Sequence, residues 1–171
     1  MIPPRIAILT ISDRSARGER ADTSGPALAE AVREQGWEVK FQSIVADEKI
    51  SIENLLASWS DGGEVDILLT TGGTGFSARD VTPEATLDVA ERLAPGLAEA
   101  IRLESLKITP HAMLSRAVAV IRRKTLIVNL PGSPKGALES LKILLPVLPH
   151  AVELLREDLS AEAGHDIRTT S

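Results

Sequence analysis

The chain has 171 residues with a formal net charge of −5 at pH 7, and 43% of its residues are hydrophobic and 25% charged. This length predicts one domain, and the balance of apolar and charged residues excludes disorder and repeat architecture for the bulk of the chain. The acidic charge argues against a non-specific nucleic-acid binder, and the 2% aromatic content argues against a base-stacking platform. The absence of cysteine excludes disulfides, thiolate metal sites and thiol nucleophiles.

Strand and helix patterns alternate along the first half of the chain. Three short apolar runs predict strands, the first and third of them covered on both faces, at 5–11, 37–45 and 65–69. A polar loop at 12–20 follows the first strand. Helical spacing of apolar residues predicts two helices between the strands, from Ala27 to about Gly36 and around 52–59.

Proline positions organise the second half. Thr82 and Pro83 predict a helix start, with Thr82 as N-cap and the proline at the first helical position. Further helices are predicted at Pro95 to Leu103, after Ser133-Pro134, and at 148–155. Between them, apolar runs at 117–121 and 125–130 flank a basic turn and predict a hairpin or a strand pair.

The alternation of strands and helices predicts an α/β sandwich with a mostly parallel sheet and a small hairpin. We expect a single domain over residues 1–159, followed by a polar C-terminal tail at 160–171. Parallel sheets place ligand sites beyond the carboxyl ends of their strands. The loops to inspect therefore follow Ile11, Val45, Leu69 and Val128.

The loop after the third strand is rich in glycine, with Thr71, Gly72, Gly73, Thr74 and Gly75 in succession. Glycines let backbone N–H groups approach an anion, and the helix that follows adds the positive end of its dipole. The alternative is a tight strand-to-helix turn in which Asp80 serves only as a cap. The spacing matches neither a Walker A loop nor a dinucleotide fingerprint.

Asp47 follows the second strand and would face the same edge of the sheet as Asp80. Two carboxylates from separate loops suit Mg²⁺, which prefers oxygen ligands and completes its shell with substrate phosphates. The alternative for Asp47 is a helix N-cap, for which aspartate is a favoured residue.

The loops after the first and last strands complete the edge. Ser12 and Asp13 lie in the first, while Gly132 and Ser133 at a helix start could bind an anion that Lys135 would neutralise. Arg14, Arg17 and Arg20 could also sit over this site. Ordinary alternatives remain: a stiff connecting turn at 129–135 and a solvated loop for most of the three arginines. Ser115-Arg116 is unspecific by itself, and His111, His150 and His165 lack metal-ligand spacing.

Five segments occur together in one order: Ile11-Ser-Asp-Arg14, Thr70-Thr-Gly-Gly-Thr-Gly75, Arg79-Asp-Val-Thr-Pro-Glu-Ala85, Leu114-Ser-Arg116 and Asn129-Leu-Pro-Gly-Ser-Pro134. Together they resemble the Mog/MoaB-type family of molybdenum-cofactor biosynthesis, specifically its molybdopterin adenylyltransferases. The resemblance covers about residues 5–158. The glycine loop joined to the Arg-Asp-Val-Thr-Pro run is its most specific part.

The resemblance implies a three-layer α/β/α fold that assembles as a homotrimer. It implies transfer of AMP from ATP to the terminal phosphate of molybdopterin, with release of pyrophosphate and with Mg²⁺. The family's two functional aspartates fall on Asp47 and Asp80, which become the candidate catalytic and metal-binding residues. The candidate substrate-binding residues are Ser12, Asp13, Thr71, Gly72, Gly73, Thr74, Gly75, Ser115, Arg116, Asn129, Pro131, Gly132, Ser133 and Lys135.

A second hypothesis stays open, because binding alone would need the same anion-binding loops. In that case the chain is a non-catalytic paralogue that holds molybdopterin or a partner protein. A molybdate-insertion protein is a further expected partner, whereas nucleic acid and membrane are not expected. No basic leader precedes the first strand and no apolar run reaches the length of a membrane span, so we expect a cytoplasmic protein.

Overall fold

The computed structural model describes residues 2–157, and the predicted tail at 160–171 lies outside the described residues. A six-stranded sheet runs through the described part in the order β2-β1-β3-β6-β5-β4. The strands are β1 (Arg5–Ile11), β2 (Glu38–Val45), β3 (Ile67–Thr71), β4 (Arg92–Leu93), β5 (Ala119–Arg122) and β6 (Thr125–Leu130). Strands β2, β1, β3 and β6 are parallel, whereas β5 is antiparallel to both β6 and β4.

Helices cover both faces of this sheet. They are α1 (Asp13–Ala16), α2 (Ser24–Glu34), α3 (Lys49–Asp61), α4 (Thr82–Asp88), α5 (Pro95–Leu106), α6 (Pro134–Leu144) and α7 (Leu148–Arg156), with a 3₁₀ helix at Pro110–Leu114. Helices α2, α5, α6 and α7 pack on one face in a core that includes Leu28 and Leu141. Helices α3 and α4 pack on the other face around Ile52, Leu56 and Ala85. The predicted three-layer α/β/α fold is therefore confirmed.

The register of the sheet brings four loops to one edge. Ile11 pairs with Val45 at the end of β1 and β2. Thr71 pairs with Thr10 on one side and with Leu130 on the other. The parallel strands thus end at nearly the same height, so the loops that follow them start side by side.

Element positions agree with the sequence better than element ends do. The third strand was predicted at 65–69 and lies two residues later, at Ile67–Thr71. Thr70 and Thr71 extend it because both are fully buried and hydrogen-bonded, Thr71 donating to the Pro131 carbonyl at 2.6 Å and Thr70 accepting from Asn129 at 3.0 Å. The hairpin turns at Arg123, whose φ of 52° is left-handed.

One helix start and three short elements differ from the prediction. Thr82 is the first residue of α4 and not its N-cap, because Val81 takes that position. The Thr82 hydroxyl instead donates to the Gly72 carbonyl at 2.9 Å.

Helix α1, strand β4 and the 3₁₀ helix were not predicted, since each is short and lacks a period of apolar residues. None of the helices within residues 2–157 is both long and apolar enough to cross a membrane.

Candidate active site

A cavity of about 400 Å³ lies at the carboxyl edge of the sheet, and we call it the main cavity. All four predicted loops reach it. Its walls include the predicted residues Ser12, Asp47, Thr71, Gly72, Gly73, Asp80, Gly132 and Ser133. The convergence follows from the parallel direction and level ends of β1, β2, β3 and β6.

The glycine loop crosses the end of β1 at very short range. Gly72 has a φ of +104°, and a Cβ there would lie 2.2 Å from the carbonyl oxygen of Ile11. Gly73 has a φ of +65°, and its Cβ would lie 2.3 Å from Oγ1 of Thr82. Gly132 approaches from the last loop, with its Cβ position 3.2 Å from Cα of Gly72. At Gly72 and Gly73 a side chain would be both strained and obstructed, so the backbone itself forms the cavity wall there.

Asp47 is held by a reciprocal pair of hydrogen bonds. The Asp13 N–H donates to Oδ2 of Asp47 at 2.7 Å, and the Asp47 N–H donates to Oδ1 of Asp13 at 3.0 Å. The N-cap of α3 is Glu48, so the capping alternative for Asp47 is wrong. Burial raises the pKa of Asp47, the hydrogen bond from Asp13 lowers it, and the charges of Asp13 and Asp80 raise it again, leaving the pKa above its ordinary value.

Asp13 itself stays ionised beside Asp47. Hydrogen bonds from Arg79 hold the pKa of Asp13 below its usual value. Arg79 donates to it twice, from Nε at 2.9 Å and from Nη2 at 2.8 Å.

Asp80 is fixed by its own turn and by a distant arginine. The Ser77 N–H donates to Oδ2 of Asp80 at 3.0 Å, and Nη2 of Arg116 donates to the Asp80 carbonyl at 2.6 Å. A Cβ on Gly75 would lie 2.9 Å from the same Oδ2. Within residues 2–157, neither Oδ1 of Asp80 nor Oδ1 of Asp47 takes part in a hydrogen bond, so each carboxylate has one oxygen for a ligand.

A second cavity of about 320 Å³ adjoins the first, and Ser133 borders both. Ile101 of α5, Leu114 of the 3₁₀ helix and Ile108 between the two form part of its wall. The predicted residues that line it are Thr74, Gly75, Ser115, Pro131 and Ser133. The predicted site residues thus divide between a polar compartment and a more apolar one.

Four predicted residues line neither cavity: Asp13, Arg116, Asn129 and Lys135. Arg116 bonds to protein with all three guanidinium nitrogens, including Nε to the Gly75 carbonyl at 2.7 Å and Nη1 to Glu84. Its visible role is to fasten the glycine loop to α4. Lys135 is exposed and lies 3.9 Å from Glu139.

Asn129 is fully buried between the sheet and α4. Its Nδ2 donates to Oγ1 of Thr70 at 3.0 Å and to Oγ1 of Thr86 at 2.9 Å, while its Oδ1 accepts from the Val118 N–H at 3.2 Å. Every polar group of this amide is therefore engaged by protein.

The sequence analysis did not identify one wall of the main cavity, formed by Thr10, Ser15, Ala21, Asp22, Thr23 and Ser24. Arg20, one of the three arginines considered for the site, lies on the same wall. Thr10 donates to Oδ2 of Asp22 at 2.7 Å, and Oδ1 of Asp22 accepts from the Gly25 N–H at 3.0 Å. Asp22 thus supports the start of α2. An aspartate just before a helix is a usual capping pattern, and it would have been found had the helix been predicted from Ser24 instead of Ala27.

His111 and His150, the two histidines within the described residues, form no metal centre with these acids. Within residues 2–157, no group of three or more His, Asp or Glu side chains is arranged to hold a metal ion. His111 borders the second cavity, His150 lies 3.5 Å from Glu153, and His165 lies outside the described residues. Any ion at the main cavity would rely on the two aspartates and on ligands from a substrate or water.

Known proteins resemble the chain over this whole region. Residues 7–150, which contain every cavity-lining residue, match the family described as "Probable molybdopterin binding domain". The chain is 44% identical over 153 residues to the molybdopterin adenylyltransferase of Helicobacter pylori strain J99, covering 88% of this chain and 86% of that protein. The Escherichia coli K12 protein of the same name is 44% identical over 141 residues, covering 81% and 72%.

A solved structure supports the same relationship. The molybdopterin biosynthesis enzyme MoaB from Thermus thermophilus superposes with a TM-score of 0.85 at 51% identity. The match covers 90% of this chain and 97% of that one. Fold and sequence similarity thus extend together over the main and second cavities.

Proposed function

The chain belongs to the Mog/MoaB-type family of molybdenum-cofactor biosynthesis, and on that basis we propose that it is a molybdopterin adenylyltransferase. It transfers AMP from ATP to the terminal phosphate of molybdopterin and releases pyrophosphate. One observation carries the proposal: the glycine loop, Asp47 and Asp80 meet at one cavity with the loop that starts α6.

The reaction needs little covalent chemistry from the protein. A terminal phosphate oxygen of molybdopterin, already anionic at neutral pH, attacks the α-phosphorus of ATP. A new P–O bond forms, the bond from the α-phosphorus to the bridging oxygen breaks, and pyrophosphate leaves with the electron pair. No general base is required, so catalysis rests on positioning and charge neutralisation.

The main cavity offers groups for both tasks. Gly72 and Gly73 line its wall, and Ser133, the N-cap of α6, brings the positive end of the helix dipole to it. Arg20 is a cation on the same wall. We assign the polyphosphate to this compartment.

The second cavity suits a flat heterocycle. Its apolar wall, with Ile101, Ile108 and Leu114, can cover the faces of a ring, while Ser115 and Thr74 offer hydroxyls to ring heteroatoms. Because Ser133 borders both compartments, a substrate with a ring and a phosphate could extend from one into the other.

Asp47 and Asp80 fit a magnesium site. Mg²⁺ binds one or two carboxylates and takes its other ligands from water and substrate phosphates, which agrees with two acids that each keep one oxygen without a hydrogen bond. The raised pKa of Asp47, caused first by burial and in part by the charges of Asp13 and Asp80, means that a cation there would relieve a real electrostatic cost. When bound, the ion would neutralise phosphate charge as ATP reacts.

Replacement of each aspartate tests this assignment. We expect Asp47→Asn and Asp80→Asn to lower kcat by about 10²–10³, the loss typical of one preorganised electrostatic group. The assay measures pyrophosphate released from ATP, Mg²⁺ and molybdopterin. Glu48→Gln is the matched control, because Glu48 is exposed, follows Asp47 directly and lines neither cavity.

Two results would count against the proposal. Near-normal turnover in both variants would remove the metal assignment. Tight molybdopterin binding by the unaltered protein without pyrophosphate release would identify a non-catalytic binder instead.

We also propose that the protein is a homotrimer. Leu103, Ile108 and Met113 are exposed apolar side chains on α5, the 3₁₀ helix and the segment between them, which supports an interface there. Light scattering at micromolar concentration should give the mass of three chains, and a mass near 18.3 kDa would reject the trimer.

A further inference from the structure

We propose that Arg79 and Asp13 are positioning residues, which together hold the loops of Asp47 and Asp80 so that both carboxylates can bind one divalent cation. We call the pair the Arg79–Asp13 bridge. The inference rests on the proposed function only in taking Asp47 and Asp80 as the groups that hold the ion.

The first step is the contact between the loops after β1 and β2. Asp13 and Asp47 exchange backbone-to-carboxylate hydrogen bonds at 2.7 and 3.0 Å, although they are 34 residues apart in sequence. This exchange fixes Oδ2 of Asp47 and therefore the direction of Oδ1. Asp13 thus determines how Asp47 is presented.

The second step connects the loop after β3 to the same point. Arg79 immediately precedes Asp80 and binds both carboxylate oxygens of Asp13 at 2.9 and 2.8 Å. A bidentate arginine–carboxylate pair fixes orientation as well as distance. Asp80, Arg79, Asp13 and Asp47 consequently form one continuous link across loops from three strands.

The link opposes a repulsion that the site creates. Asp47, Asp80 and Asp13 are three carboxylates in one region, and like charges at such range push the loops apart. Residues 76–79 are all exposed, so little apolar packing holds this segment in place. The Ser77 turn fixes Asp80 within its own loop, and Arg116 ties the Asp80 carbonyl to the segment before β5, but neither contact connects Asp80 to Asp47.

Arg79 is not placed to bind substrate directly. It lines neither cavity, and its Nε and Nη2 are taken by Asp13. Its side chain is 57% exposed, and an ion pair as exposed as this contributes little to folding stability. Its loss should therefore leave the fold intact and change the relative placement of the two acids.

Metal binding provides a readout that does not depend on turnover. The probe is Mn²⁺ added with a non-hydrolysable ATP analogue, followed by electron paramagnetic resonance and by calorimetry. We expect Arg79→Gln and Asp13→Asn to raise the Mn²⁺ dissociation constant about 10–100-fold, the usual effect of losing an outer-shell partner. Arg79→Lys should recover only part of this, because an ammonium group cannot bind both oxygens in one plane.

Controls separate positioning from a general structural effect. Arg122→Gln removes another arginine that binds both oxygens of a carboxylate, that of Asp61; neither residue lines a cavity, so Mn²⁺ affinity should stay unchanged. The melting temperature of Arg79→Gln should stay close to that of the unaltered protein. For Arg79→Gln, kcat should fall about 10–100-fold with little change in the KM for molybdopterin. A crystal structure of the same variant should show residues 76–80 displaced from Asp47.

Each outcome decides the inference. Unchanged Mn²⁺ affinity in Arg79→Gln would overturn it, and so would an unaltered protein that binds no Mn²⁺ with the nucleotide analogue. A protein that releases no pyrophosphate but loses Mn²⁺ affinity on Arg79→Gln would refute the proposed function and leave the bridge supported.

Discussion

Gly72 carries the tightest backbone constraint at the site. Its φ of +104° is a conformation that side-chain-bearing residues rarely adopt, and a Cβ would lie 2.2 Å from the Ile11 carbonyl oxygen. Because the obstacle is backbone and not a flexible side chain, relief would require moving the end of β1. The same strand end carries Ser12 and Asp13 into the site.

We expect Gly72→Ala to lower the free energy of unfolding by at least about 2 kcal/mol, from strain and the clash together. Urea denaturation measures the change. Gly96→Ala is the control, since Gly96 lies in α5 with open space around its Cβ position and should lose nothing. Equal stability of the two variants would contradict the constraint.

Asn129 illustrates a residue whose predicted and observed surroundings differ. Its side-chain amide donates hydrogen bonds to the hydroxyls of Thr70 and Thr86 and accepts one from the Val118 N–H. Asn129→Ala should cost about 2–3 kcal/mol of unfolding free energy, because buried polar partners would be left unpaired. Loss of turnover without loss of stability, measured by the same denaturation, would instead favour the substrate contact that the family resemblance implies.

The site residues that the sequence could predict are those whose position along the chain alone brings them to the carboxyl edge of the sheet. Asp47 and the glycines closely follow strands, and Asp80 lies in the same loop as Gly72 and Gly73, between β3 and α4, so the direction of a parallel sheet brings them to one edge. Asn129 and Arg116 also lie near that edge, but apart from the Val118 N–H their side-chain partners come from 32 to 59 residues away in sequence. No local pattern reveals such contacts, and motif resemblance alone could not separate ligand binding from support.

Helix α4 and the glycine loop are joined as elements by Thr82. Its buried hydroxyl donates to the Gly72 carbonyl at 2.9 Å, and its N–H donates to the Gly73 carbonyl at 3.1 Å. The helix thereby holds the loop against the end of β1. Removing the hydroxyl would leave a buried carbonyl without this partner.

Thr82→Val should lower the free energy of unfolding by about 1–2 kcal/mol, while Thr82→Ser keeps the hydroxyl and should lose less. Thermal unfolding at a fixed protein concentration compares the two. A serine variant as unstable as the valine variant would assign the effect to the lost methyl group and not to the hydrogen bond.

Strong apolar runs predicted elements well, and their ends poorly. The third strand lies two residues later than predicted. Thr70 and Thr71 are polar, which suggested a loop, but hydrogen bonds with Asn129 of β6 and with the Pro131 carbonyl let both belong to the strand. Strand β4 escaped prediction because its two residues, Arg92 and Leu93, are exposed and too few to show a pattern.

At the scale of the whole molecule, the end of the sheet opposite the site is closed by a charge cluster. Asp66 precedes β3 and is bound by Arg5 at the start of β1 and by Arg156 at the end of α7. Arg156 also donates to the carbonyls of Ile2 and Pro3. These contacts join the two ends of the described chain, and nothing in the local sequence around Asp66 predicts them.

Asp66 gives the fold a defined sensitivity to acid. Its side chain is only 3% exposed. Burial by itself would raise its pKa, but the hydrogen bonds from Arg5 and Arg156 outweigh that effect and lower the pKa from 3.8 to about 2. A carboxyl with a lowered pKa stabilises the folded state above its unfolded pKa, and the contribution is lost as pH falls toward the folded value.

The free energy of unfolding of the unaltered protein should therefore exceed that of Asp66→Asn by a constant amount above about pH 5. This difference should shrink by roughly 2 kcal/mol on going to pH 2, since one pKa unit corresponds to about 1.4 kcal/mol. Urea denaturation at each pH, with protein concentration held constant, gives the difference and removes the effect of other carboxyls. Glu19→Gln is the matched control, because the Arg17–Glu19 pair is exposed and should show no resolvable change in the difference. A pH-independent difference for Asp66→Asn would mean that the two arginines act on this carboxyl through geometry alone, and the electrostatic account of how the chain ends are joined would fail.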